Sequence, residues 1–145
     1  MTAPDLTIQV STLSAAGAKF ALAAAEQAAL AKGLAVSIAV VDIAGNLVSF
    51  QRLNNAGVSC IEAAIRKART AAHLGTPTKL FEDLLHGGMT SLLAFEFISP
   101  SQGGVPLFAN GILVGGIGCS GSSGSDDEAA AQAGADAFAS AAGGG

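Results

Sequence analysis

Two pairs of β-rich runs, each joined by a turn too short to hold a helix, constrain this 145-residue chain more than any other feature. Residues 105–109 and 112–119 flank Asn110-Gly111, a dipeptide that tolerates positive φ and is the strongest short hairpin signal. Upstream, LAVSIAVVD at 34–42 and LVSFQRL at 47–53 flank Ala44-Gly45-Asn46, a second turn of similar chemistry. Strands joined this tightly run antiparallel, because a parallel pair needs a crossover of about a dozen residues. The 34–42 run is nearly all apolar, which places it centrally in a sheet, whereas Gln51 and Arg52 bring polar groups to the tip of its partner.

Helical periods surround these runs. Residues 14–32 are Ala-rich and end at Gly33, a natural left-handed cap. Their face through Phe20, Ala23, Ala24, Gln27, Ala28 and Ala31 suits close approach to a sheet or to another subunit. Residues 59–74 present Cys60, Ile61, Ala64, Ala68, Ala71 and Ala72 on one side and stop at Gly75. Thr76 reads as the N-cap of a short helix with Pro77 in its first turn, fading at His86-Gly87-Gly88. Residues 92–98 read as a strand with Phe95 and Phe97 on one face. An Ala-rich helix then runs from Asp126-Asp127-Glu128 to about residue 142, capped by Ser125 or Asp126. The predicted class is α+β, an antiparallel sheet flanked by helices. Half the residues are hydrophobic and 12% are charged, enough apolar material for a single domain, although 31 alanines demand tight spacing. Residues 1–10 and 143–145 are expected to be flexible.

Seven basic against eleven acidic residues leave no electrostatic basis for gripping a phosphate backbone, so nucleic acid is excluded as a partner. The opening MTAPDLTIQV lacks the pattern of a secretory signal, and no apolar run reaches the ~18 residues of a membrane span; the expectation is a soluble, cytoplasmic protein without membrane contact. Cys60 and Cys119 are too few for a disulfide framework or zinc site and are expected to be buried, reduced thiols.

The candidate chemistry centres on Arg66, Arg69, Thr70 and His73, which share one helical stripe within about 11 Å. Two guanidinium groups suit a carboxylate or phosphate, and an imidazole can move a proton near neutral pH or ligate a metal. The competing reading is a solvated face paired with acids such as Glu62, four residues before Arg66. His86, before two glycines, is a second general-base or iron-ligand candidate, against a loop imidazole bonded to a carbonyl. The Gly118–Ser125 run has the flexibility of an anion-binding loop, but Asp126 to Glu128 repel phosphate and fit helix capping better. Cys119 is either a thiolate or a small buried hydrophobe, and Asp42 and Arg52 either orient a ligand or serve the hairpin.

AVVDIAGNLVSFQRLNNAG at 39–57, KARTAAHLGTPTKL at 67–80, GGVP at 103–106 and GILVGGIGCSGSSGSDDEAAAQAG at 111–134 together resemble the GlcG/HbpS family of heme-binding or glycolate-utilisation-associated proteins, related to the PduO-type C-terminal domain. The resemblance implies a profilin-like antiparallel sheet flanked by helices, a homo-oligomer often described as octameric, and heme as a cofactor near subunit contacts. It implies an oligomeric binding protein for heme or a similar planar carboxylated ligand, associated with a catabolic pathway. His73 or His86 would be the axial metal ligand, with Arg52, Arg66 or Arg69 meeting carboxylates. Asn54, Thr70, Gly103, Gly104, Cys119 and Ser120 would complete the ligand contacts. The chain departs from the family where Asn54 and Asn55 replace Asp-Gly, His73 replaces an aromatic and Cys119 replaces Val; Asn54 cannot act as an acid or base. Two other readings stand beside this one. A cofactor-independent isomerase, lyase or hydrolase of a small acid would use His73, His86 and Arg69 as catalytic residues, and a scaffolding subunit would retain no ligand.

Overall fold

The computed structural model describes residues 2–143. Its elements are α1 (Ala15–Ala31), β1 (Ser37–Asp42), β2 (Leu47–Arg52), α2 (Ser59–Leu74), α3 (Lys79–His86), a 3-10 helix (Thr90–Ala94), β3 (Gly104–Ala109), β4 (Ile112–Ser120) and α4 (Gly124–Ala142). Both hairpins form. Asn110 and Gly111 take φ values of 52° and 77°, the conformation that a two-residue primed turn requires. The hairpins join through β1 and β4, which pair antiparallel from Ser37↔Ser120 to Asp42↔Gly115. The sheet order is therefore β2-β1-β4-β3, with the apolar β1 central as its sequence requires.

Strand alternation divides the interior into two layers. Ile38, Val40, Ile117 and Cys119 join Ala21, Ala25, Ala131 and Phe138 in a core between the sheet and the α1/α4 pair. Ala39 and Val41 point the other way and meet Ala64, Ala68 and Ala72 of α2. This second layer is thin because helix and sheet backbones nearly touch. A Cβ on Gly116 would collide with the Ala68 carbonyl, and one on Gly118 with the Ala64 carbonyl. The sheet with helices on both faces is the expected α+β arrangement, and no helix among the described residues is long and apolar enough to cross a membrane.

Several local expectations are corrected. In α1 the face against the core is Ala18, Ala21, Leu22, Ala25 and Ala29, while Phe20, Ala23, Gln27 and Ala31 point outward, so of the two uses expected for that face it is packing on the sheet that is overturned. An almost uniformly apolar helix gives periodicity little contrast with which to choose a face. Residues 92–98 are not a strand: the 3-10 helix ends at Ala94, and Phe95 and Phe97 meet edge-to-face with centroids 5.7 Å apart. The alternation of Phe-Glu-Phe imitates a strand, but this segment is held by side-chain bonds rather than a ladder. α3 starts at Lys79, so Thr78 and not Thr76 stands at its N-cap position, Pro77 lies ahead of the first turn, and the Thr78 hydroxyl bonds the Ser101 carbonyl instead of capping the helix. Ser123, not Ser125 or Asp126, caps α4 by accepting from the Asp126 N–H at 3.2 Å. Cys119 is buried as expected, whereas Cys60 is only half-buried. Of the expected flexible termini, residues 1, 144 and 145 lie outside the described residues.

Candidate functional site

The stripe of α2 does not face solvent as a unit. Thr70 is fully buried and ties a loop to the helix: its hydroxyl lies 2.8 Å from the Arg66 carbonyl and 3.2 Å from that of Phe97, and accepts from the Ser99 N–H at 2.9 Å. Thr78 does the same one helix later, donating to the Ser101 carbonyl at 2.6 Å and accepting from Gly104 N–H at 2.9 Å. Thr70 thus holds residues 97–99 against α2 and Thr78 holds residues 101–104 at the start of α3, and Ile98 and Pro100 between these anchors line a cleft.

The cleft has a volume of about 600 Å³ and is lined by Glu62, Arg66 and Arg69 from α2 opposite Leu92, Leu93, Phe95 and Ile98. Arg66 donates to the Glu96 carbonyl at 3.0 Å and Arg69 donates from Nε to the Gly45 carbonyl at 3.1 Å. Each bond fixes the side chain while leaving most of its five N–H groups for a ligand. Neither guanidinium forms an ion pair among the described residues. The expected Glu62–Arg66 partnership is thus absent, although Glu62 and Glu96 both line the cleft and make it formally neutral.

The other expected site residues lie elsewhere. His73, exposed at the end of α2, donates from Nε2 to the Ala44 carbonyl at 3.0 Å and lines no part of the cleft. It packs on Gly45, whose φ of 86° and lack of a Cβ let the hairpin turn approach the ring. His86 is exposed at the end of α3, also outside the cleft. Arg52 and Asn54 border a separate cleft with Glu26, Leu30 and Leu34, at the opposite end of β2 from Gly45, roughly 20 Å away. Asp42 is the turn acid, accepting from the Ala44 and Asn46 N–H groups.

Gly103, Gly104, Cys119 and Ser120 are buried and line neither cleft. Their neighbourhood contains a feature that sequence reasoning missed. Lys67, 4% exposed, donates to the Cys119 carbonyl at 3.1 Å and pairs with Asp127 at 3.3 Å. Asp127 also accepts from the Ser122 N–H at 2.9 Å, so the Gly-rich turn serves a buried ion pair instead of an external anion. A Cβ on Gly103 would crowd the Lys67 ammonium, and one on Gly104 would strike the Lys67 carbonyl. Burial, with a smaller contribution from Asp127, pushes the Cys119 thiol up to about 12, against the opposing pull of Lys67. Cys119 is therefore a buried thiol that keeps its proton near neutral pH. A lysine inside the Ala face of KARTAA was the available signal for this pair.

Heme can be tested against these residues. Its apolar macrocycle and anionic propionates match a cleft with an aliphatic and aromatic wall facing two unpaired guanidinium groups, of a size ordinary for small-molecule sites. The fit covers the wall and the carboxylates; the cleft offers no imidazole to iron.

Comparison with known proteins agrees with this architecture. The family described as "Haem degrading protein HbpS-like" matches residues 13–136. Protein GlcG of Escherichia coli strain K12 is 32% identical over 99 residues, 68% of this chain and 74% of its own length. The crystal structure of HbpS is 36% identical with a TM-score of 0.84, covering 94% of this chain and 97% of that one. The crystal structure of a PduOC:heme complex is 28% identical with a TM-score of 0.78, covering 87% and 94% respectively.

Proposed function

The chain belongs to the HbpS-like family, and from that premise we propose that it is a self-associating heme-binding protein that seats the ligand in the cleft between α2 and the 92–100 segment. The observation that carries this reading is the pairing of Arg66 and Arg69, free of carboxylate partners, with the Leu92, Leu93, Phe95 and Ile98 wall. The relative solved with heme supports the same ligand class. Arg66 and Arg69 hold the two carboxylates through charge-assisted bonds, and the wall removes one macrocycle face from water. When bound, heme supplies a redox-active, Lewis-acidic iron. A cytoplasmic place beside a catabolic pathway belongs to the same proposal.

Titrating the purified protein with hemin tests it. A saturable shift of the Soret band is expected, and the Arg66→Gln/Arg69→Gln variant should bind at least about tenfold more weakly, the loss of roughly 1.4 kcal/mol. Wild-type protein that leaves the hemin spectrum unchanged overturns the reading. His73→Ala and His86→Ala are expected to leave the bound Soret maximum in place; a displaced maximum in either would assign the axial ligand to that imidazole.

A further inference from the structure

Residues 6–11, ahead of α1, belong to neither core nor cleft, yet they carry a pattern. In Leu6-Thr7-Ile8-Gln9-Val10-Ser11, apolar side chains alternate with polar ones, the period of a half-buried strand. No strand forms there, and Leu6, Ile8 and Val10 are 92%, 84% and 61% exposed. The root of this arm is fixed: the Thr12 hydroxyl accepts from the Ile43 N–H at 3.1 Å, and Leu13 N–H donates to the Val114 carbonyl at 3.0 Å. The arm precedes residues 13–136, the span that the family model matches.

Beside the root lies an apolar groove of about 430 Å³, floored by Leu13, Val114 and Phe138 and walled by Phe20, Ala109 and Ala142. No charged residue lines it, and residues 6–13 of the arm carry no charge either. The whole chain has a net charge of −4, so two copies repel wherever charged surfaces meet and can approach most closely through neutral ones. The arm does not fill its own groove: none of residues 6–11 lines it, and Leu6, Ile8 and Val10 stay exposed.

We propose that two copies exchange these arms across a two-fold axis, with Leu6 and Ile8 of each entering the groove of the other. Each arm is rooted on the rim of the groove that receives its counterpart, as reciprocal exchange requires. Leu6 to Thr12 spans about 20 Å when extended, enough to cross an axis beside that rim. Thr7, Gln9 and Ser11 stay on the wetted side. This inference names the surface used in the self-association proposed above and is independent of the heme reading.

The test uses the full chain with Cys60→Ser as background. Oxidising the Ile8→Cys/Ala16→Cys variant should give a disulfide-linked dimer on a non-reducing gel, since Ala16 lines the groove. Light scattering should show the mass of Leu6→Asp/Ile8→Asp/Val10→Asp halved, with its circular dichroism and hemin binding retained. A disulfide confined to one chain, no disulfide, or an unchanged mass would each overturn the exchange. Wild-type protein that is monomeric defeats self-association as a whole, whereas an oligomer whose mass survives the aspartates defeats only the arm.

Discussion

Cys119 and Lys67 illustrate how far a single residue can be read before folding. An apolar cysteine at the end of a central strand is expected to be buried, and it is. Of the Lys67–Asp127 pair only the lysine among the alanines of α2 was legible; its partner lies 60 residues on, and only the folded chain places the helix beside the Gly-rich turn. Burial raises the Cys119 thiol from its ordinary 9.0 to about 12. At pH 8 the native protein should therefore expose one reactive thiol, Cys60, to a chromogenic disulfide reagent, with Cys119 reacting only on unfolding. The folded state keeps a proton that the unfolded chain releases above about pH 9, so this contribution to stability is intact below pH 9 and is lost as pH rises toward 12. Urea midpoints measured from pH 8 to 11 should fall, and Cys119→Ala should flatten part of that fall.

Among the elements, α2 is the one on which the cleft depends. Its span was readable from Ala64, Ala68, Ala71 and Ala72 on one face and Gly75 at the end, and the structure places it at Ser59–Leu74. What periodicity could not show is how closely it lies on β4. Gly118→Ala would drive a methyl group into the Ala64 carbonyl and displace the helix, costing about 3 kcal/mol in urea denaturation. Gly33→Ala, where no atom lies within 4 Å, should cost only about 1 kcal/mol from its positive φ. A Gly118→Ala variant as stable as wild type would show that this seam has slack. The 92–98 segment was misread as a strand for the converse reason. Its conformation is set from α2, where the Thr70 hydroxyl meets the Phe97 carbonyl and the Arg66 guanidinium donates to the Glu96 carbonyl.

For the molecule as a whole, the cleft is electrically neutral although its proposed ligand is anionic: Glu62 and Glu96 offset Arg66 and Arg69. Glu62→Gln should therefore tighten hemin by up to about fivefold, the effect of removing one solvent-screened like charge; equal or weaker affinity in titration would place the carboxylates away from α2. Within one chain the basic, imidazole and Gly-rich groups do not share a single cleft. Arg66 and Arg69 share a cleft, Arg52 and Asn54 border another, the two histidines stand outside both, and Thr70, Gly103, Gly104, Cys119 and Ser120 are interior. The sequence by itself determined the hairpins, the central apolar strand, most helix spans and the family, because turn chemistry, periodicity and motif order act between near neighbours. Tertiary structure alone decided which arginines face an apolar wall, which lysine is buried and which helix face points inward, because those outcomes depend on contacts between segments far apart in the chain.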